Sequence, residues 1–146
     1  MTIKRILVAT DFSEIAESVV SQAIDFAKQL GASAVLVHSY EIPIYGFPDG
    51  ILVAPADVAA RISTGAQMQL DGLAKRYGER GVEITTSLRN GLPWEEVNTV
   101  ADEQKADVIV LGTHGRRGLA RALLGSTAER ILRTANRPVY VLHAAK

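Results

Sequence analysis

Short, unbroken apolar runs set the strongest limit on the fold. Arg5–Thr10 carries Ile6, Leu7, Val8 and Ala9 without interruption, and Ala34–His38 and Asp107–Leu111 repeat the pattern. Runs of this length, rich in β-branched residues, suit strands covered on both faces, as in a parallel sheet. The stretches between them have a different period. After Asp11-Phe12-Ser13-Glu14, where an acid followed three places later by Glu reads as a capping box, Ala16, Val19, Val20, Ala23, Ala27 and Leu30 form one stripe, and Gly31 stops it. The chain therefore starts strand, helix, strand, a crossover of fixed right hand.

The same alternation continues. Asp57–Tyr77 places Ala59, Ile62, Ala66, Leu70, Leu73 and Tyr77 near helical spacing, although Gly65 and Gly72 weaken it, and Gly81 ends the region. Val82–Leu88 alternates apolar and polar residues, the pattern of a half-exposed edge strand. Asn90-Gly91 turns the chain, Pro93 opens a short helix over Glu95–Gln104, and Trp94 reads as a packing residue at that helix start. Ser126–Ala135 is the last helix and Val139–Leu142 the closing strand. The prediction is one domain, residues 1–146: an α/β fold with a single open five-stranded parallel sheet, order 3-2-1-4-5, helices on both faces, and a Rossmann-like ligand crevice at the carboxyl ends of the strands. Glu41–Pro55 falls outside this rhythm. Pro43, Gly46, Pro48, Gly50 and Pro55 interrupt exposed-looking apolar residues, so it reads as an irregular loop, long enough to be a lid or a partner surface.

Composition narrows the function classes. A hydrophobic fraction of 47% with 22% charged residues argues for a compact fold over disorder. The absence of cysteine excludes disulfides, thiolate catalysis and zinc ribbons, and fits a reducing cytoplasm. The apolar start at Ile3 is broken by Lys4 and Arg5, no run approaches a membrane span, and a net charge of zero gives no bulk attraction to nucleic acid.

One local exception stands out. From Gly112 to Pro138 there are six arginines (116, 117, 121, 130, 133 and 137) against one acid, Glu129, a net charge of about +5. The segment leaves an apolar run, passes Gly112, Gly115 and Gly125, and enters a helix at Ser126. Glycines admit a close approach of backbone to ligand, and the first turn of a helix offers unpaired N–H groups, so the stretch suits phosphate oxygens. It is neither a Walker A loop, since no Gly-Lys-Ser/Thr occurs, nor a Gly-x-Gly-x-x-Gly fingerprint. The plainer alternative is that the glycines only turn the chain while Ser126 caps the helix with Glu129 as its box partner. Arg116, Arg117 and Arg121 are the phosphate candidates, whereas Arg130 and Arg133 belong to later turns of the helix.

The order of elements, the Gly112-x-x-Gly115, nine residues, Gly125-Ser126 spacing and the Ala9-Thr10-Asp11-Phe12-Ser13 opening together resemble the universal stress protein family in its ATP-binding branch. The resemblance covers essentially the whole chain and implies an adenine nucleotide alpha hydrolase-like fold. It also implies ATP, with Mg2+ accompanying the phosphates, bound by Thr10, Asp11, Ser39, Leu111, Gly112, Gly115, Arg116, Gly125, Ser126 and Thr127. Within that set the glycines and Ser126 cradle phosphates, Thr127 donates near them, and Leu111 borders the nucleotide. Asp11 contacts adenosine or its ribose, and Ser39 meets the adenine edge mainly through its backbone. A cytoplasmic homodimer paired through Val139–Leu142 is implied as well; from the residues themselves, loop 41–55 is a candidate surface for a protein partner, and neither membrane nor nucleic acid is expected as a partner.

Catalysis finds little support in the residues. His114 lies inside the loop but has no partner acid at motif spacing, so it orders the turn or borders phosphate. His38, His114 and His143 are too scattered for a metal site, and Thr10 and Ser13 lack a His–Asp arrangement. Any hydrolysis is therefore slow. A dimeric interaction module without nucleotide is the alternative, and the intact glycine spacing argues against it.

Overall fold

The computed structural model describes residues 1–114 and 124–145. Its elements are β1 (Arg5–Ala9), α1 (Glu14–Leu30), β2 (Ser33–Tyr40), β3 (Ile44–Phe47), β4 (Gly50–Val53), α2 (Ala56–Gly78), β5 (Ile84–Asn90), α3 (Pro93–Glu103), β6 (Val108–Gly112), α4 (Ser126–Thr134) and β7 (Val139–Leu142). Five strands form one parallel sheet in the order β5-β2-β1-β6-β7, which counted within the sheet is the expected 3-2-1-4-5.

Strand alternation divides the core in two. Ile6 and Val8 of β1 face α1 and α2, joined by Val20, Ile24, Leu70 and Leu73. Leu7 faces the opposite layer, with Val35, Val37, Ile109, Val100 and Ile131, beneath α3 and α4. Burying both faces is why β1 and β6 are continuously apolar. The edge strand β5 starts two residues later than its alternation suggested. Gly81 turns at φ 87°, Val82 is already buried, and Glu83 uses its carbonyl to accept from the Ala34 amide before the ladder begins.

The entry ends of the central strands are fastened together. The Asp107 carboxylate accepts from the backbone N–H groups of Lys4 (2.8 Å) and Arg5 (2.9 Å), and Arg5 donates to the Gln104 carbonyl. Those two backbone donors hold the Asp107 carboxyl below its ordinary pKa. Arg137 makes a second fastening. Its guanidinium donates to the carbonyls of Ala101 and Ala106 and pairs with Asp102, so it closes the end of α3 and is not part of an anion pocket.

Four local expectations are corrected. Glu41–Pro55 is no irregular loop: β3 and β4 pair antiparallel across the Pro48-Asp49 turn, with Pro43 and Pro55 outside the strands. The cap of α1 is Ser13, whose hydroxyl accepts from the Ala16 amide at 3.1 Å, and not Asp11. Leu30 is exposed, and Ile24 takes its place in the buried stripe. Ser126 is the first residue inside α4, not its cap; Gly125 is the cap, without a side-chain hydrogen bond, and Glu129 pairs with Arg133 instead.

Candidate functional site

The sheet order reverses between β1 and β6, so their carboxyl ends open a crevice between the two helix layers. Thr10 and Asp11 leave β1 there, Ser39 lies near the end of β2, and Gly112 and Thr113 leave β6.

The β1–α1 turn is held in an uncommon shape. Phe12 has φ +64°, a left-handed conformation that costs a bulky residue about 1–3 kcal/mol and persists only where the surroundings impose it. The surroundings here are specific. The Phe12 amide donates to Thr10 Oγ1 (3.2 Å), and the Phe12 ring packs on the His38 ring with centroids 4.2 Å apart. His38 Nδ1 lies 2.8 Å from the Thr10 carbonyl; because a carbonyl only accepts, Nδ1 carries the hydrogen. Thr10 itself is buried, its amide bonded to the Val37 carbonyl. The resulting turn sets Asp11 at the mouth of the crevice, half-buried, with Oδ1 accepting from the Ser13 amide at 3.0 Å.

On the other side of the crevice, the Gly125 amide donates to the Thr113 carbonyl at 2.7 Å, and the Thr113 amide to the Leu142 carbonyl at 3.0 Å. The start of α4 is thereby tied to the end of β6. With glycine as its cap, α4 has no side chain closing its first turn among the described residues, and Ser126 and Thr127 at that turn are exposed. His114 Nδ1 sits 3.1 Å from Thr113 Oγ1, while its Nε2 is buried with no partner among the described residues. When the Thr113 hydroxyl donates to Nδ1, Nε2 is a donor awaiting an acceptor. An uncapped helix start and an orphaned imidazole nitrogen beside it are a fitting receptor for an anion.

The structure thus brings Thr10, Asp11, Ser39, Leu111, Gly112, Gly125, Ser126 and Thr127 to one end of the sheet. Gly115 and Arg116 lie outside the described residues, as do Arg117 and Arg121. Individual roles shift. Leu111 is buried in the core beneath α3 and α4. Gly112 packs closely against α1, where an added Cβ would stand 3.0 Å from Val19 Cγ2 and need that side chain to shift. The Ser39 hydroxyl is occupied, donating to the Gly91 carbonyl at 2.6 Å, which leaves its backbone as the portion available to a ligand. Arg130 lies over the Trp94 ring, 5.4 Å from its centroid, and Arg133 and Arg137 pair with acids. Three of the six arginines therefore serve the helices. His38, Phe12 and Thr113 carry much of the local geometry and were missed as site residues. Only Phe12, lying between Asp11 and the Ser13 cap, had a positional hint.

A doubly covered parallel sheet whose switch point is lined by a strained acidic turn and an uncapped helix start defines an α/β ligand-binding domain of the doubly wound class. The chain belongs to the universal stress protein family, whose family model matches residues 2–143. It is 34% identical to a universal stress protein of Methanocaldococcus jannaschii, MJ0531, over 98% of this chain and 84% of that one. Among solved structures, a universal stress protein family member from Burkholderia pseudomallei superposes with a TM-score of 0.78 at 28% identity, covering 98% of each chain. The universal stress protein from Archaeoglobus fulgidus in complex with dAMP superposes with a TM-score of 0.68 at 26% identity, covering 97% of this chain and 98% of that chain. No helix among the described residues is long and apolar enough to cross a membrane.

Proposed function

We propose that this chain binds ATP, with Mg2+ accompanying the phosphates, in the crevice between β1 and β6, and acts as a cytoplasmic, nucleotide-responsive stress-survival regulator with at most slow hydrolysis. One observation carries the reading: a half-buried carboxylate on a strained turn and a glycine-capped helix start beside an orphaned imidazole nitrogen converge at the switch point. The carboxylate suits ribose hydroxyls and the helix start suits phosphates. The dAMP complex of the Archaeoglobus relative supports an adenine nucleotide as the ligand class. Gly115 and Arg116 join Gly125, Ser126 and Thr127 as the proposed phosphate set. A ligand bound only by the folded form at micromolar affinity and millimolar concentration adds about 4 kcal/mol of stability, enough for nucleotide supply to set how firmly the fold is held.

Pairing of two chains through β7 belongs to the same proposal. That strand borders β6 on one side only, and Tyr140 is half-exposed while packing its ring on Phe26 at 5.0 Å. An open apolar edge of this kind requires a cover. The direct test is to denature freshly purified protein and identify what is released. ATP in the supernatant, lost in Gly115→Val with the circular dichroism spectrum intact, is the expected result. Protein that carries no nucleotide and takes up none in calorimetry would instead be an interaction module.

A further inference from the structure

We propose that the β3–β4 hairpin is a self-association arm that clasps the same hairpin of a second copy, at an interface separate from β7. The hairpin is apolar on both faces. Cross-strand pairing puts Ile44, Ile51 and Val53 on one side and Tyr45, Phe47 and Leu52 on the other. All six are 55–74% exposed. Taking about 200 Å2 for a fully exposed large apolar residue, they present roughly 700 Å2 per copy, close to the roughly 800 Å2 each partner contributes to a standard specific interface. A two-stranded ribbon is marginal in water without a cover, so this area calls for one.

Charge selects the occupant. From Glu41 to Asp57 there is no Lys or Arg, and the only charge within the hairpin is Asp49 at its turn. An anionic lipid surface or a nucleic acid would meet no cation there. A second copy meets apolar faces that match its own, and a two-fold axis makes each contact twice. Stacking hairpin on hairpin covers one face. A cleft of about 430 Å3 at the hairpin base, lined by Ile42, Ile44, Val53 and Leu92 and also by the carboxylates Glu41 and Glu95, gives the partner's arm room for the other. The hairpin leaves the end of β2, and its base cleft reaches Asn90 and Gly91 at the end of β5, the sheet edge opposite β7. The two interfaces can therefore form together.

Sedimentation velocity of the full-length chain tests this, with Ile51→Asp and Phe47→Ser breaking one face each. Both side chains are exposed outside the core, so the variants should keep the wild-type far-UV spectrum. The expected result is a two-fold lower mass for either variant at micromolar concentration, from four chains to two where β7 also pairs and from two to one where it does not. An unchanged mass in both variants overturns the proposal. That holds equally if nucleotide affinity falls instead, which would make the hairpin a lid, or if only capture of another protein is lost.

Discussion

Replacing His38 by alanine probes the one turn on which the acidic half of the site depends. Two contacts disappear together: the hydrogen bond to the Thr10 carbonyl and the ring contact with Phe12. The first is worth about 1 kcal/mol net and the second about 0.5–1.5 kcal/mol, together roughly 2 kcal/mol. This is the same size as the cost of about 1–3 kcal/mol of holding a bulky residue at positive φ, so without His38 the turn rests on the Phe12–Thr10 and Ser13–Asp11 hydrogen bonds alone and loosens. A loss of about 2 kcal/mol lowers the melting temperature by roughly 4–8 °C in a domain of this size. Relaxation of Phe12 also withdraws Asp11, and the expected fall in ATP affinity is about tenfold, or 1.4 kcal/mol. Differential scanning calorimetry and isothermal titration on the same preparation give both numbers. A variant that melts with the wild type and binds ATP equally well would refute the coupling. So would a crystal structure of His38→Ala with Phe12 still left-handed and Asp11 unmoved.

Other parts of the fold yield sharper tests of packing and charge. Arg137→Met removes the guanidinium from the Ala106 carbonyl and leaves the Ala101 carbonyl with the Ala106 amide alone, which should cost about 1–3 kcal/mol in urea denaturation; a loss below about half a kcal/mol would mean that water replaces the guanidinium. Gly112→Ala presses on Val19 and should destabilise by about 1 kcal/mol or less, and in a Val19→Ala background that cost should vanish; an equal cost in both backgrounds would remove the packing account. Asp107 has a folded pKa below its unfolded one, so its contribution is present above about pH 4 and is lost as pH falls through the folded value. Asp107→Asn should therefore flatten the acid limb of a stability-versus-pH curve, and an unaltered limb would contradict the assignment.

The sheet was legible because Ile6–Ala9 and Val108–Leu111 must be buried on both sides, and because each helix carries its own apolar stripe. The acidic turn was half legible. Asp11 was visible as an acid leaving a strand, but the positive φ of Phe12 comes from tertiary contacts with His38, a residue 26 positions away that shows no local pattern. Among the arginines, Arg130 and Arg133 were separable as helix residues, but sequence proximity gave no place to Arg137, which is drawn to the end of α3. The hairpin was misread for a different reason. Prolines at 43, 48 and 55 suggested disrupted structure, yet all three fall outside the ladder, and Asp49-Gly50 between apolar runs was a hairpin signal that went unweighted.

The bracing of Asp107 against Lys4 and Arg5 has a mechanical consequence. With their amino ends locked in register, β1 and β6 cannot slip past each other lengthwise, so a molecule arriving at the far rim finds no piston to push. The elements left to respond stand at that rim: α1 behind its Ser13 cap, and α4 where the Gly125 amide bonds to Thr113.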